Sequence, residues 1–222
     1  MRPFHGRDPG SNPGRGVLRF IPFFNHNKVL KETLQSKYPM RIAITGVGGT
    51  GKTTLGKLIE QHTDLRYIND RNDDVLLEMG YESGDALFKG RGEEGMVDWH
   101  VRGLANKIEK DEIQDNYILE KTVIDSVARW FLRMSPEAKQ CHHEAFFNAM
   151  RRANDIYDRI IFLPLDLSRE IVDNGMRTTD PLYRQRFDWM LRGVYDASGI
   201  DIEKYDFDFS KDPKEVIKDL GL

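Results

Sequence analysis

The sequence predicts an α/β protein with a doubly wound, parallel five-stranded sheet. Two observations predict it. Short apolar runs alternate with longer stretches of helical periodicity, the mark of consecutive β–α–β units. The first such run, RIAIT at residues 41–45, opens directly into a glycine-rich loop and then an amphipathic helix.

The elements follow in order. The helix that begins at Lys52 carries Leu55, Leu58 and Ile59 on one face. Residues 65–68 read as a second strand, and residues 94–113 as a helix with Val97, Val101, Leu104 and Ile108 at helical spacing. Residues 117–119 give the third strand. The next helix has Val123, Val127, Trp130, Phe131 and Met134 on one stripe, and after Pro136 another holds Phe146, Phe147 and Met150. Residues 159–164 form the fourth strand, which ends at Pro164. An arginine-rich polar segment over residues 173–186 leads into a helix with Phe187, Met190, Leu191 and Val194. A short fifth strand falls within residues 200–207, and Pro213 opens the last helix at its first turn.

The chain has 222 residues, with 39% hydrophobic and 31% charged, and so has the material for one well-buried core. A net charge of −3 gives no global basic surface, and nucleic acid is not an expected partner. The single cysteine, Cys141, forms no internal disulfide and points to a reducing, cytoplasmic setting. No apolar run is long enough for a membrane span, and Arg19 interrupts the nearest thing to a signal core. Residues 1–39 lack periodicity, and residues 6–16 (GRDPGSNPGRG) are all turn formers. The pentapeptide GSNPG at residues 10–14 is what the tRNA T-arm sequence GGTTCGAATCCCGG encodes when read as codons. We read residues 1–39 as a disordered leader from an upstream start, and residues 40–222 as the α/β domain beginning at Met40. A flexible basic arm is the alternative.

Residues 46–53 (GVGGTGKT) fit the P-loop pattern G-x-x-x-x-G-K-[ST] at every fixed position. Triphosphate oxygens need many backbone N–H groups aimed inward, and Gly46, Gly48, Gly49 and Gly51 let the chain turn tightly enough to supply them. Thr50 and Thr54 complete the cradle, and the helix behind it presents its positive end. Lys52 supplies charge to the β- and γ-phosphates, and the Thr53 hydroxyl is a ligand for Mg²⁺. ATP and Mg²⁺ are the expected cofactors.

Three further features separate a kinase from other P-loop proteins. Glu120 ends the third strand where a carboxylate faces the ligand crevice, which suits it to the metal's shell. Beside it, Lys121 and Asp125 could contact the acceptor, although Thr122 and Asp125 also have the spacing of a capping box. Second, Arg177, Arg184 and Arg186 surround a loop-to-helix junction capped by Asp180, as a cationic lid over a transferring phosphoryl group requires. Arg184 and Arg186 lie off the apolar stripe, so the bland reading of both is a solvated face. Third, Asp70 after the second strand could take a substrate proton or bond a sugar hydroxyl, and it equally suits a turn. Residues 141–144 (CHHE) diverge around a helix and make a poor metal site, while Trp99 is either a lid contact or a packing partner.

At these residues the chain resembles the NadR-type AAA/P-loop kinases, from Met40 to about Ile202. The motifs are ITGVGGTGKTTL, ILEKTVIDSVARW and YDRIIFLPLD followed by NGMRTTDPLYRQRFDWML. The resemblance implies a doubly wound P-loop fold of the nucleotide-kinase type, Mg-ATP as donor, and phosphorylation of a nucleoside-like hydroxyl. In that family the middle strand usually ends in Asp-Arg, where this chain has Glu120-Lys121. Lysine lacks the planar fork of arginine, so the departure bears on the acceptor and not on the donor.

The expected activity is therefore phosphoryl transfer from Mg-ATP to a nucleoside-like or nucleotide-like small molecule. A homo-oligomer is compatible with it. The alternatives are a regulatory switch that binds and slowly hydrolyses a nucleoside triphosphate, and an RNA-associated ATPase, which the net charge disfavours. No N-K-x-D-like run stands where guanine would be read, a weak preference for ATP over GTP.

Overall fold

The computed structural model describes residues 40–69, 72–112, 116–169, 171 and 179–222, with the side chains of residues 72 and 73 excepted. The leader (residues 1–39), Asp70 and Arg177 lie outside the described residues. In chain order the elements are β1 (Arg41–Thr45), α1 (Lys52–His62), β2 (Arg66–Ile68), α2 (Asn72–Glu78) and α3 (Gly84–Asp111). They continue with β3 (Tyr117–Glu120), α4 (Val123–Arg133), α5 (Gln140–Ile156), β4 (Arg159–Phe162), α6 (Pro181–Ser198), β5 (Glu203–Lys204) and α7 (Pro213–Asp219).

The strands form one sheet in the order β2-β3-β1-β4-β5, with every pairing parallel. The expected doubly wound sheet is therefore present. Strand parity divides its two faces. Ile42 and Ile44 of β1, Ile118 of β3 and Ile161 of β4 pack with Leu55 and Ile59 of α1 and Val216 of α7. Ala43, Tyr117, Leu119, Ile160 and Phe162 face the other way, onto α3, α4, α5 and α6. This parity decides the site. Glu120 shares the α1 face with Ile118, whereas Thr45 shares the α4 and α6 face with Ala43.

Several expectations need correction in detail. Helix α3 begins at Gly84, ten residues before the expected start, because Ser83 caps it by accepting from Ala86 N at 3.1 Å. Gly92, at φ 59 and ψ −151, breaks its regular path and hides the period from the sequence. Helix α2 was not expected at all. Met134 leaves the stripe of α4, since it takes a left-handed C-cap conformation and is exposed. The fifth strand shrinks to two residues. Trp99 packs beside a satellite cluster of Leu76, Leu87 and Met96, which is the packing reading. Helices α6 and α7 start as expected, with Asp180 and Asp212 accepting from Leu182 N and Lys214 N and a proline in each first turn.

Candidate active site

The glycine-rich loop leaves β1 at the carboxyl edge of the sheet, between the ends of β3 and β4. Its glycines are required sterically at particular points. A Cβ on Gly46, at φ 138, would stand 2.5 Å from the Leu163 carbonyl oxygen. Gly51, at φ 96, would meet the Phe209 ring at the same distance, and Gly49 adopts φ 84. Gly48 is exposed with open space around it. The Thr50 hydroxyl donates to Val47 O at 3.0 Å and tightens the turn, while Thr54 points to solvent.

Lys52 is buried within this loop, its Nζ donating to Gly46 O at 2.9 Å and Val47 O at 2.8 Å. Burial lowers its pKa to about 8, against the opposing pull of the Glu120 carboxylate. Thr53 Oγ1 donates to Glu120 Oε2 at 2.8 Å, and Tyr67 Oη donates to the same oxygen at 2.6 Å. Tyr67 reaches it because Gly56 of α1 has no side chain; a Cβ there would stand 2.3 Å from the ring. Burial works to raise the pKa of Glu120, but Lys52, Lys121 and the two hydroxyl donors outweigh it and hold the carboxyl below its usual value. The structure thus brings an ionised carboxylate and a hydroxyl together beside a buried ammonium and a ring of backbone amides. Hard oxygen donors next to an anion cradle fit Mg²⁺ and a nucleotide's phosphates.

Lys121 is in the left-handed region, at φ 67, which is costly for a residue with a side chain and clusters at functional positions. It turns the chain from β3 into α4, and its N–H donates to Ile44 O at 2.8 Å. Asp125, expected near the acceptor, closes the capping box at the start of α4. Its Oδ2 accepts from Thr122 N at 2.8 Å and from Thr45 Oγ1 at 2.8 Å, and the residue is buried. Thr122 Oγ1 in turn lies 2.7 Å from Tyr195 Oη of α6. The geometry makes Asp125 the capping carboxylate of α4.

The two described arginines of the expected lid part company. Arg184 is buried, contrary to the solvated-face reading, because it precedes Phe187 by three residues and Leu191 by seven and so faces inward. Its Nε has no partner among the described residues, and burial depresses its pKa despite the nearby Asp166. Arg186 points elsewhere, onto an apolar groove with Phe131, Phe147 and Trp189. Residues 141–144 make no metal cluster among the described residues: His142 Nδ1 accepts from Lys139 N, and His143 Nδ1 accepts from Trp130 Nε1.

Sequence reasoning missed one feature of this edge. Phe209, half exposed, packs on Gly51, and the Arg169 guanidinium lies 5.0 Å from its ring centroid. Arg169 also donates to Phe207 O at 3.1 Å. The signal was the alternation of aromatic residues after β5, in YDFDF at residues 205–209.

The AAA domain family model matches residues 41–207, which takes in all of these elements but α7. The chain belongs to the AAA domain family. Within it, this AAA domain is a P-loop NTPase of kinase-like fold. A Pyrococcus abyssi protein provisionally named adenylate kinase is 37% identical over 81 residues, 36% of this chain. The match spans 39% of that protein's length. Among solved structures, NadR in complex with NR superposes with a TM-score of 0.61 at 16% identity, over 85% of this chain and 54% of that one. Deoxyadenosine kinase from M. mycoides gives 0.58 at 14% identity, over 82% of this chain and 96% of that one. Thymidylate kinase from Candida albicans gives 0.55 at 15% identity, over 83% and 90%. At these identities the likeness is one of fold. No helix among the described residues is long and apolar enough to cross a membrane.

Proposed function

We propose that the protein is an ATP-dependent small-molecule kinase, transferring the γ-phosphoryl group to a nucleoside-like or nucleotide-like acceptor. The observation that carries this reading is the Thr53–Glu120 contact of 2.8 Å beside buried Lys52. A phosphate cradle alone serves any P-loop protein. A strand-end carboxylate, ionised and hydrogen-bonded to the P-loop threonine, supports a metal–phosphate centre, which transfer to an acceptor and hydrolysis both need.

Thr53 and Glu120 would hold the metal, Glu120 through its water shell. When bound, Mg²⁺ would neutralise charge on the β- and γ-phosphates. Lys52 gives up its two loop carbonyls to meet those phosphates, and the backbone amides of residues 48–53 bind the remaining oxygens. Arg184, buried with an unpartnered Nε, is the described lid residue best suited to charge on the transferring group. Arg177 and Asp70 keep their proposed roles, in the lid and toward the acceptor. Lys121, set at the mouth by its left-handed backbone, orients the acceptor. Phe209 and Arg169 offer a ring face and a planar cation to the donor's base.

The test is ATP consumption measured with and without a panel of nucleosides and nucleoside monophosphates. A kinase consumes ATP mainly when an acceptor is present. Slow turnover that no acceptor stimulates would favour the regulatory switch instead.

A further inference from the structure

Helix α6 buries one side and leaves the other uncovered. Phe187, Leu191, Val194 and Tyr195 enter the core that α6 shares with α4. On the other side Leu182, Arg186, Trp189, Gly193, Asp196 and Ala197 recur at helical spacing, so they share one face, and all six are exposed. Trp189 is the largest of them, at 63% exposure. With Phe147 of α5 and Phe131 of α4, this face lines an open apolar groove of about 650 Å³. A large apolar patch rimmed by polar side chains marks a contact surface.

Gly193 stands inside this 18-residue helix, where glycine weakens the helix relative to alanine. A Cβ there would meet no atom within 4 Å, so nothing among the described residues needs the missing side chain. The notch it leaves lies one turn from the projecting Trp189 ring. The charges of the face are unmatched as well. Arg186 and Asp196 have no ion-pair partner among the described residues. Arg192, the cation one turn before Asp196, is instead paired with Asp188 at 2.7 Å.

When two copies of a helix cross antiparallel about a two-fold axis, residues equally far from the crossing stand opposite each other. A crossing at the level of Leu191 sets Trp189, two residues before it, over the partner's Gly193, two residues after it. The same crossing sets Arg186, five residues before it, across from the partner's Asp196, five residues after it. One axis therefore fills the notch and matches the charges, and symmetry makes each contact twice.

We propose that the outer face of α6 is the centre of a symmetric dimer of this chain, in which Trp189 packs on Gly193 and Arg186 pairs with Asp196 across the two-fold axis. The missing side chain at Gly193 lets the two helices approach closely, and the Trp189 ring then seals the groove. Tryptophan and arginine are the residue types that carry most of the energy at such contacts.

The test is sedimentation of the full chain over roughly 1–100 µM, with circular dichroism to follow folding of each variant. Wild type is expected to reach a species of twice the chain mass. Trp189→Ala should weaken dimerisation at least about thirtyfold. Gly193→Leu should abolish the dimer while the fold persists, because its side chain extends into open space in the single chain. Arg186→Glu and Asp196→Arg each bring like charges together and should each weaken the dimer about tenfold or more, whereas the double variant restores it to within about threefold of wild type. That rescue separates the pairing from a loss of folding, which a second charge reversal does not repair. A chain that stays monomeric throughout the range overturns the proposal and leaves the groove to another occupant, a segment of the chain or an apolar molecule. A dimer that none of these substitutions weakens places the contact on another face and overturns it equally, as does a double variant no better than the single ones.

Discussion

Lys52 shows how one residue carries function at the expense of stability. Burial holds its ammonium at a pKa of about 8, below the usual 10.5, so the folded protein bears a desolvated cation at neutral pH. The unfolded chain binds more protons between those two values. Stability therefore rises with pH from about 8 to 10.5, and the penalty is present in full below 8. Lys52→Met is expected to abolish triphosphate turnover while the unliganded protein at pH 7 melts no lower than wild type, with a gain of up to about 3 kcal/mol. The advantage should fade as pH approaches 10.5. Thermal melts across that range check it, and a variant that melts lower at pH 7 would defeat the account of a strained lysine. Phe209 gives a complementary expectation. If its ring meets the donor's base, Phe209→Ala should raise the KM for ATP about tenfold and leave kcat nearly unchanged, because that contact is the same in ground and transition states. A fall in kcat at saturating ATP would instead assign the ring to support of the P-loop.

Elements were legible where period and punctuation agreed. The run RIAIT, the glycine loop and the stripe of α1 all pointed one way, as did Asp180 before α6 and Pro213 at the start of α7. What was hidden depended on tertiary partners. Arg184 is an exception: its spacing to Phe187 and Leu191 places it on the inward face, and its charge masked that position. The pairing of Thr53 with Glu120 follows from parity and register, which place Ile44 opposite Glu120, and so became visible only with the sheet. Asp125 had the spacing of a cap, and the structure adds to that cap a bond from Thr45. The start of α4 is where the elements meet, because the buried hydroxyls of Thr45, Thr122 and Tyr195 converge there on one carboxylate and one cap. Thr122→Val keeps the shape but removes the cap and leaves the Tyr195 hydroxyl without that partner. It should cost about 2–4 kcal/mol, the sum of a lost cap and buried unpaired groups. Tyr195→Phe, which removes a hydroxyl but strands less, should cost closer to 1 kcal/mol. Chemical denaturation of both variants decides it, and equal small losses would mean that water replaces the missing contacts.

At the scale of the whole molecule the question is what the fold requires of the chain. The two principal clusters that cover the sheet are built from residues 40–222: one runs from Ile42 to Leu220 through α1 and α7, the other from Ala43 to Ile200 through α3 to α6. Among the described residues Met40 is the first contributor to either, packed against the α1 face, and its N–H is bonded to Asn116 Oδ1 at 2.6 Å. The family match begins one residue later, at residue 41. Every strand described in the sheet and the whole P-loop therefore lie on the Met40 side. A chain that starts at Met40 is expected to keep its melting temperature within about 3 °C, a stability change below roughly 1 kcal/mol at this size. It should also bind ATP as the full chain does, since Lys52, Thr53, Glu120 and Phe209 all remain. The measurements are a thermal melt by circular dichroism and a nucleotide titration on both proteins. A truncated chain that fails to fold would make residues 1–39 part of the structure, and one that folds but binds ATP tenfold more weakly would make them part of the donor site.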